Sequence, residues 1–129
     1  MVATSITATG RQWIVDRIDN TIGAATWFGA WGTGGSGTLS TATTTDTALQ
    51  AEATEARVAA TVSQSAVDTN QFVWTQTNQK AGGKTIEEAA VINVATGGTM
   101  LIRATHGALS LATGDSIQYT VTLQQVATA

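Results

Sequence analysis

The sequence has no cysteine, a single histidine and only 12% charged residues. Without cysteine there is neither a disulfide framework nor a thiolate metal site, and the redox compartment leaves no mark. The one histidine, His106, stands between Thr105 and Gly107 at the end of a strand-like run. Nucleophilic catalysis needs a positioned base, and a lone histidine in that setting reads as a loop, core or interface residue. One histidine and nine scattered acids offer no zinc or EF-hand spacing, so neither metal nor cofactor is expected. The net charge of −3 removes a basic nucleic-acid face as the default partner site and gives no polybasic membrane signal. No apolar run approaches the roughly 20 residues that cross a bilayer. The N-terminus lacks a basic segment leading into an apolar stretch, so no signal peptide is read. These absences point to a soluble chain, not an enzyme, that binds or builds rather than catalyses.

Low charge carries a second message. Isolated soluble domains hold about 25% charged residues. At half that density, much of the surface is expected to be covered by partner chains in a larger assembly.

What is present favours strands. Threonine and alanine dominate, and threonine's branched side chain suits extended backbone. At 129 residues the chain has the length of one domain. The clearest element is Ile117–Leu123: Ile117, Tyr119, Val121 and Leu123 share one face, and Gln118, Thr120 and Thr122 the other. The turn Gly114-Asp115-Ser116 opens this half-buried antiparallel strand. Further strands are expected at 24–31, 56–63 (Val58 and Val62 on one face), 71–77 (Phe72 and Trp74 on one face) and 85–94, and 97–105 is a run of strand-formers around Met100. Turns are expected at Lys80–Lys84 and Ala95–Gly98. Thr9 and Gln12 have capping-box spacing before Trp13, Ile14 and Ile18, which predicts a short amphipathic helix over 10–19. Residues 46–55 could add a helical turn or two. The expected fold is mainly β: a single-domain antiparallel sandwich or small jelly-roll-like barrel with one short N-terminal helix. Residues 1–9 read as an extended arm, and 10–129 as the β domain.

Few side chains suggest chemistry. Glu87 and Glu88 are neighbours on an expected strand, so they point to opposite faces and cannot share one site. The one that faces inward needs a partner such as Arg57 or Arg103. The loop Gly32–Gly37 lacks the Gly-Lys-Ser/Thr ending of a phosphate loop and reads as flexible. Four tryptophans raise sugar stacking, with Trp27 and Trp31 as a platform and Trp74 alternating with Phe72. Burial in the core or between subunits is the expected fate of such rings.

Three segments then follow one another in a familiar order. They are Glu88-Ala89-Ala90-Val91-Ile92, Gly97-Gly98-Thr99-Met100-Leu101-Ile102-Arg103-Ala104-Thr105 and Gly114-Asp115-Ser116-Ile117-Gln118-Tyr119-Thr120. Upstream come Trp31-Gly32-Thr33-Gly34, Glu52/Glu55-Ala56-Arg57-Val58 and Thr61-Val62-Ser63-Gln64. This series, over most of residues 10–124, resembles small virion proteins of tailed bacteriophages. His106 stands where that family usually has Phe, and Ala90 where Gly is usual. The resemblance implies a virion protein, assembled in the host cytoplasm. A capsid decoration (cement) protein is the leading expectation. A tail, neck or fibre-attachment protein and a carbohydrate- or receptor-binding module are the alternatives. The implied partners are the major capsid protein or other virion proteins, with the chain as a homo-oligomer, a trimer by preference. No nucleic acid or membrane partner is expected. The residues expected at protein interfaces are Ile6, Trp27, Phe28, Trp31, Leu39 and His106.

Overall fold

Eight strands, all paired antiparallel, make up the elements of the structure, a computed structural model that describes residues 3–7, 9–10, 26–34, 39–66 and 69–124. In chain order they are β1 (Ala3–Ile6), β2 (Phe28–Gly32), β3 (Val58–Ala59), β4 (Thr61–Ala66), β5 (Thr69–Thr77), β6 (Lys84–Ile92), β7 (Met100–Leu111) and β8 (Ser116–Gln124). They form a five-stranded sheet, β1-β7-β6-β2-β3, and a three-stranded sheet, β4-β5-β8. The chain is thus mainly β, and no helix is among the described elements. The helix expected over 10–19 lies, beyond its first residue, outside the described residues. At its approach the capping hydroxyl belongs to Thr7 rather than Thr9. The Gly10 N–H donates to Thr7 Oγ1 at 2.9 Å, the three-residue reach of an N-cap, and Thr7 Oγ1 donates to the Met100 carbonyl at 2.7 Å.

The two sheets share a core. Phe72, Trp74, Val121 and Leu123 of the smaller sheet pack with Ala89, Val91, Leu101 and Ile102 of the larger one. The period-two patterns read from the sequence place the first four inward, and each large apolar side chain so buried contributes about 1.5–3 kcal/mol. At Gly29 an added Cβ would lie 2.0 Å from the Trp74 ring, so the sheets meet there only because β2 has no side chain. On β7, Leu101 is the extra residue of a bulge between the pairs Val91↔Ile102 and Ile92↔Met100. That bulge lets Leu101 and Ile102 face the shared core while Met100 packs with Ala30, Leu49, Ala90 and Ile92 in a second cluster.

Two expectations fail for identifiable reasons. The strand expected at 56–63 is broken at Ala60, whose N–H donates to the Trp27 carbonyl at 2.8 Å. The chain changes sheets there: β3 pairs with β2, and β4 with β5. Val58 therefore packs at the core while Val62 is 42% exposed, and the two do not share a face. Residues 46–55 form no helix. Their backbone groups bond elsewhere: Ala53 N–H to the Trp31 carbonyl, Thr33 N–H to the Ala51 carbonyl, both at 2.9 Å, and Gln50 and Ala51 N–H to Glu88. Tertiary hydrogen bonds override a helix propensity worth a few tenths of a kcal/mol per residue. By contrast, the turn at Gly114 is as expected, with φ +91° and the Asp115 carboxylate accepting the Ala112 N–H at 2.9 Å.

Candidate functional site

Two places combine polar side chains with a distinctive surface. The first is built on neighbouring strands of the larger sheet. Glu88 lies opposite Thr105 and Ala90 opposite Arg103, so the Glu88 and Arg103 side chains share a face on a diagonal. Both are essentially fully buried, at 0% and 1% exposure. Arg103 Nε donates to Glu88 Oε2 at 3.0 Å, Nη1 to Asp46 Oδ2 at 2.8 Å and Nη2 to the Ser40 carbonyl at 3.1 Å. Glu88 in turn accepts the Gln50 N–H at 3.0 Å and the Ala51 N–H at 2.8 Å. The planar guanidinium with its several fixed donors suits this three-way grip.

The pair therefore clamps the long polar segment 39–52 at residues 40, 46 and 50–51. Local bonds complete the hold. Asp46 accepts from the Thr43 N–H and hydroxyl, both at 2.9 Å. Gln50 Nε2 donates to the Gly34 carbonyl at 3.0 Å, and its Oε1 accepts from Ser40. At Gly32 an added Cβ would lie 2.6 Å from both the Ala51 carbonyl and Glu88 Oε1, so only glycine lets the segment close onto β2. Partial burial acts to raise the Asp46 carboxyl. Hydrogen bonds from Thr43 and Arg103, with the guanidinium charge, outweigh it and hold Asp46 below the usual carboxylate range. Two further pairs fasten the next stretch. Arg57 bonds Glu52 at 2.7 Å and the Val94 and Gly97 carbonyls at 3.0 and 2.7 Å, and Lys84 pairs with Glu55. The segment 39–52, rich in threonine, serine and alanine, is thus held along a defined course.

The second place is a groove of about 700 Å³ between the far half of β7 and β8. A second bulge creates it. Between the pairs Ile86↔Leu109 and Glu88↔Thr105, Glu87 alone on β6 faces His106, Gly107 and Ala108 on β7. Such an insertion re-aims a side chain. His106 turns toward β8, where its Nε2 lies 3.0 Å from the Tyr119 hydroxyl, and its Nδ1 lies 2.8 Å from the Gly107 carbonyl. A carbonyl only accepts, so Nδ1 carries a proton, and in the neutral ring Nε2 accepts from Tyr119. Burial pushes the Tyr119 phenol well up from its ordinary value, which keeps it the donor. Tyr119 stacks on Trp74 with centroids 5.0 Å apart.

The residues expected at interfaces are dispersed. Ile6 and Trp27 sit at the rim of the shared core, with Trp27 edge-on to Phe72 at 5.7 Å. Phe28 is half-buried at the start of β2, and Leu39 half-buried beside Gly34. Trp31 is 1% exposed within the single chain, and His106 lines the groove. With Trp74 also buried, sugar stacking keeps only Trp27 of its three rings. Of the paired acids, Glu88 is the buried one and Arg103 its partner, but they lie on the face of the larger sheet turned away from the shared core, buried by segment 39–52; Arg57 serves Glu52 instead. The roles of Ser40, Gln50 and Tyr119 carry no sequence signal beyond the position of Tyr119 on the inward face of β8. Among the described residues, no group of three or more His, Cys, Asp or Glu side chains converges where it could hold a metal ion. Neither a protein-family model nor a curated protein matches the sequence.

Proposed function

We propose that the two sheets form a small β-sandwich that serves as a structural protein of a tailed-bacteriophage virion. The role that fits most simply is a capsid decoration protein, bound as a homo-oligomer to the major capsid protein on the outer head lattice. The observation that carries this reading is the order of the segments Glu88–Ile92, Gly97–Thr105 and Gly114–Thr120, which resembles that of small virion proteins. They supply β6, β7 and β8, three consecutive strands of this fold. The clamped segment 39–52 adds physical support. A Thr/Ser surface already held by a buried ion pair loses little conformational freedom on docking. A lattice also repeats a weak site many times, so modest contacts suffice for stable attachment of an oligomer.

The test is to add the purified chain to expanded phage heads that lack it. Co-sedimentation that saturates at a fixed number of copies per capsomer, with slower loss of heads on heating, is the expected result. Binding to tails or necks instead moves the role to an adaptor or fibre-attachment protein. Binding to neither overturns the virion reading.

A further inference from the structure

We propose that β8 is a self-pairing edge, through which two copies of this chain join their three-stranded sheets into one continuous six-stranded sheet. The proposal stands on the strand itself and not on the virion reading.

Unpaired strand edges invite other chains, and proteins blunt them with shortness, bulges, proline or charge. Three of the four sheet edges here are blunted. β1 has 4 residues, β3 has 2, and β4 has a register shift between Gln64 and Ala66. β8 has none of these devices. It runs nine residues, pairs with β5 in unbroken register from Thr69↔Gln124 to Thr77↔Ser116, and holds no charged residue and no proline. Among the described residues, no strand pairs with its other edge.

The occupant is argued from the order of residues along the strand. Two copies of β8 laid antiparallel about a two-fold axis at Thr120 bring Tyr119 opposite Val121 of the partner subunit. Ile117 then faces Leu123 of the partner subunit, and Gln118 faces Thr122 of the partner subunit. Inward apolar residues meet apolar residues, and outward Gln and Thr meet Thr, with no charges opposed. A partner of different sequence would be selected by charge or shape, and this edge displays no charge to select with. The neighbouring groove fits the same occupant. Ile117 and Tyr119 are only half-buried and Leu109 is 44% exposed, so the groove is apolar surface that a second strand's inward side chains would cover. A two-fold contact generates dimers and even-numbered assemblies, which sets it against the trimer preferred from the resemblance.

Sedimentation equilibrium of the full chain tests it, with Thr120→Lys and Thr120→Glu as variants at an exposed position. The expected result is a wild-type dimer whose dissociation constant rises roughly tenfold or more in either variant, through like charges opposed at the axis. Circular dichroism should show both variants folded. Mixing the two variants should restore the dimer, because Lys then faces Glu. A wild-type monomer, a wild-type trimer, a dimer indifferent to both variants, or a mixture that stays monomeric would each overturn the pairing. A monomer would leave the edge to a strand from another protein.

Discussion

The outward face of the five-stranded sheet and the outer edge of β8 solve opposite problems. The first hides two charged side chains, Glu88 and Arg103, beneath a polar segment that they themselves hold down. The second is uncharged and open among the described residues, with an apolar groove beside it. Burying charges is expensive, and a buried pair is weak evidence for stability; its better-attested use is to specify one arrangement. Here that arrangement is the fixed course of 39–52. The edge, lacking any such device, specifies nothing within its own chain, and its regular alternation is available to another strand. One surface is completed within the chain; the other is the edge for which a second copy is the proposed partner.

The largest expected effect breaks the first surface. Arg103→Met leaves Glu88 buried with no cation and should cost about 3–5 kcal/mol in urea unfolding. Arg103→Met combined with Glu88→Leu should recover most of that loss, because neither charge then remains. If the single variant costs less than about 1 kcal/mol, the clamp has little hold on the fold.

Acid should loosen the same surface more gradually. The pKa values of Asp46 and Glu55 are lowered in the fold; for Glu55, burial works the other way, and hydrogen bonds from Lys84 and from the Glu55 and Gln79 backbone N–H groups, with the Lys84 charge, outweigh it. A depressed folded pKa means that the stabilisation is fully present above the unfolded value. It is lost as pH falls through the folded one. Urea midpoints should therefore change little from these groups between pH 7 and 5, and fall below about pH 4. Asp46→Asn should remove part of that fall, and an unchanged acid limb would refute the assignment.

The smallest effect concerns the groove. Tyr119→Phe removes one partly buried hydrogen bond and should cost about 0.5–1.5 kcal/mol. Nitrogen-15 shifts of His106 should show Nε2 losing its donor while Nδ1 stays protonated. Unmoved shifts would mean that Nε2 accepts no hydrogen bond from Tyr119.

Parts of this arrangement are legible in the sequence because they are periodic. The alternation of Ile117, Tyr119, Val121 and Leu123, and of Phe72 and Trp74, needs only the pleat of a strand. That one of Glu87 and Glu88 is buried against an arginine follows from the same geometry, although its burial comes from segment 39–52 on the outer face and not from the shared core. What is not legible lacks a local signal. The sheet change at Ala60 depends on a bond to Trp27 more than thirty residues away. The course of 46–55 is decided by Glu88 and β2 against its own helix propensity. His106 reaches Tyr119 only because a bulge opposite Glu87 turns it, and a bulge of that kind is a property of two paired strands.

The proposed role as a virion component is put to the test by gold-labelled antibody, raised against the purified chain, on intact tailed-phage particles whose genome carries this sequence. Label spread over the head surface is the predicted result. Particles that carry no label, either intact or after disruption to expose hidden epitopes, would contradict it.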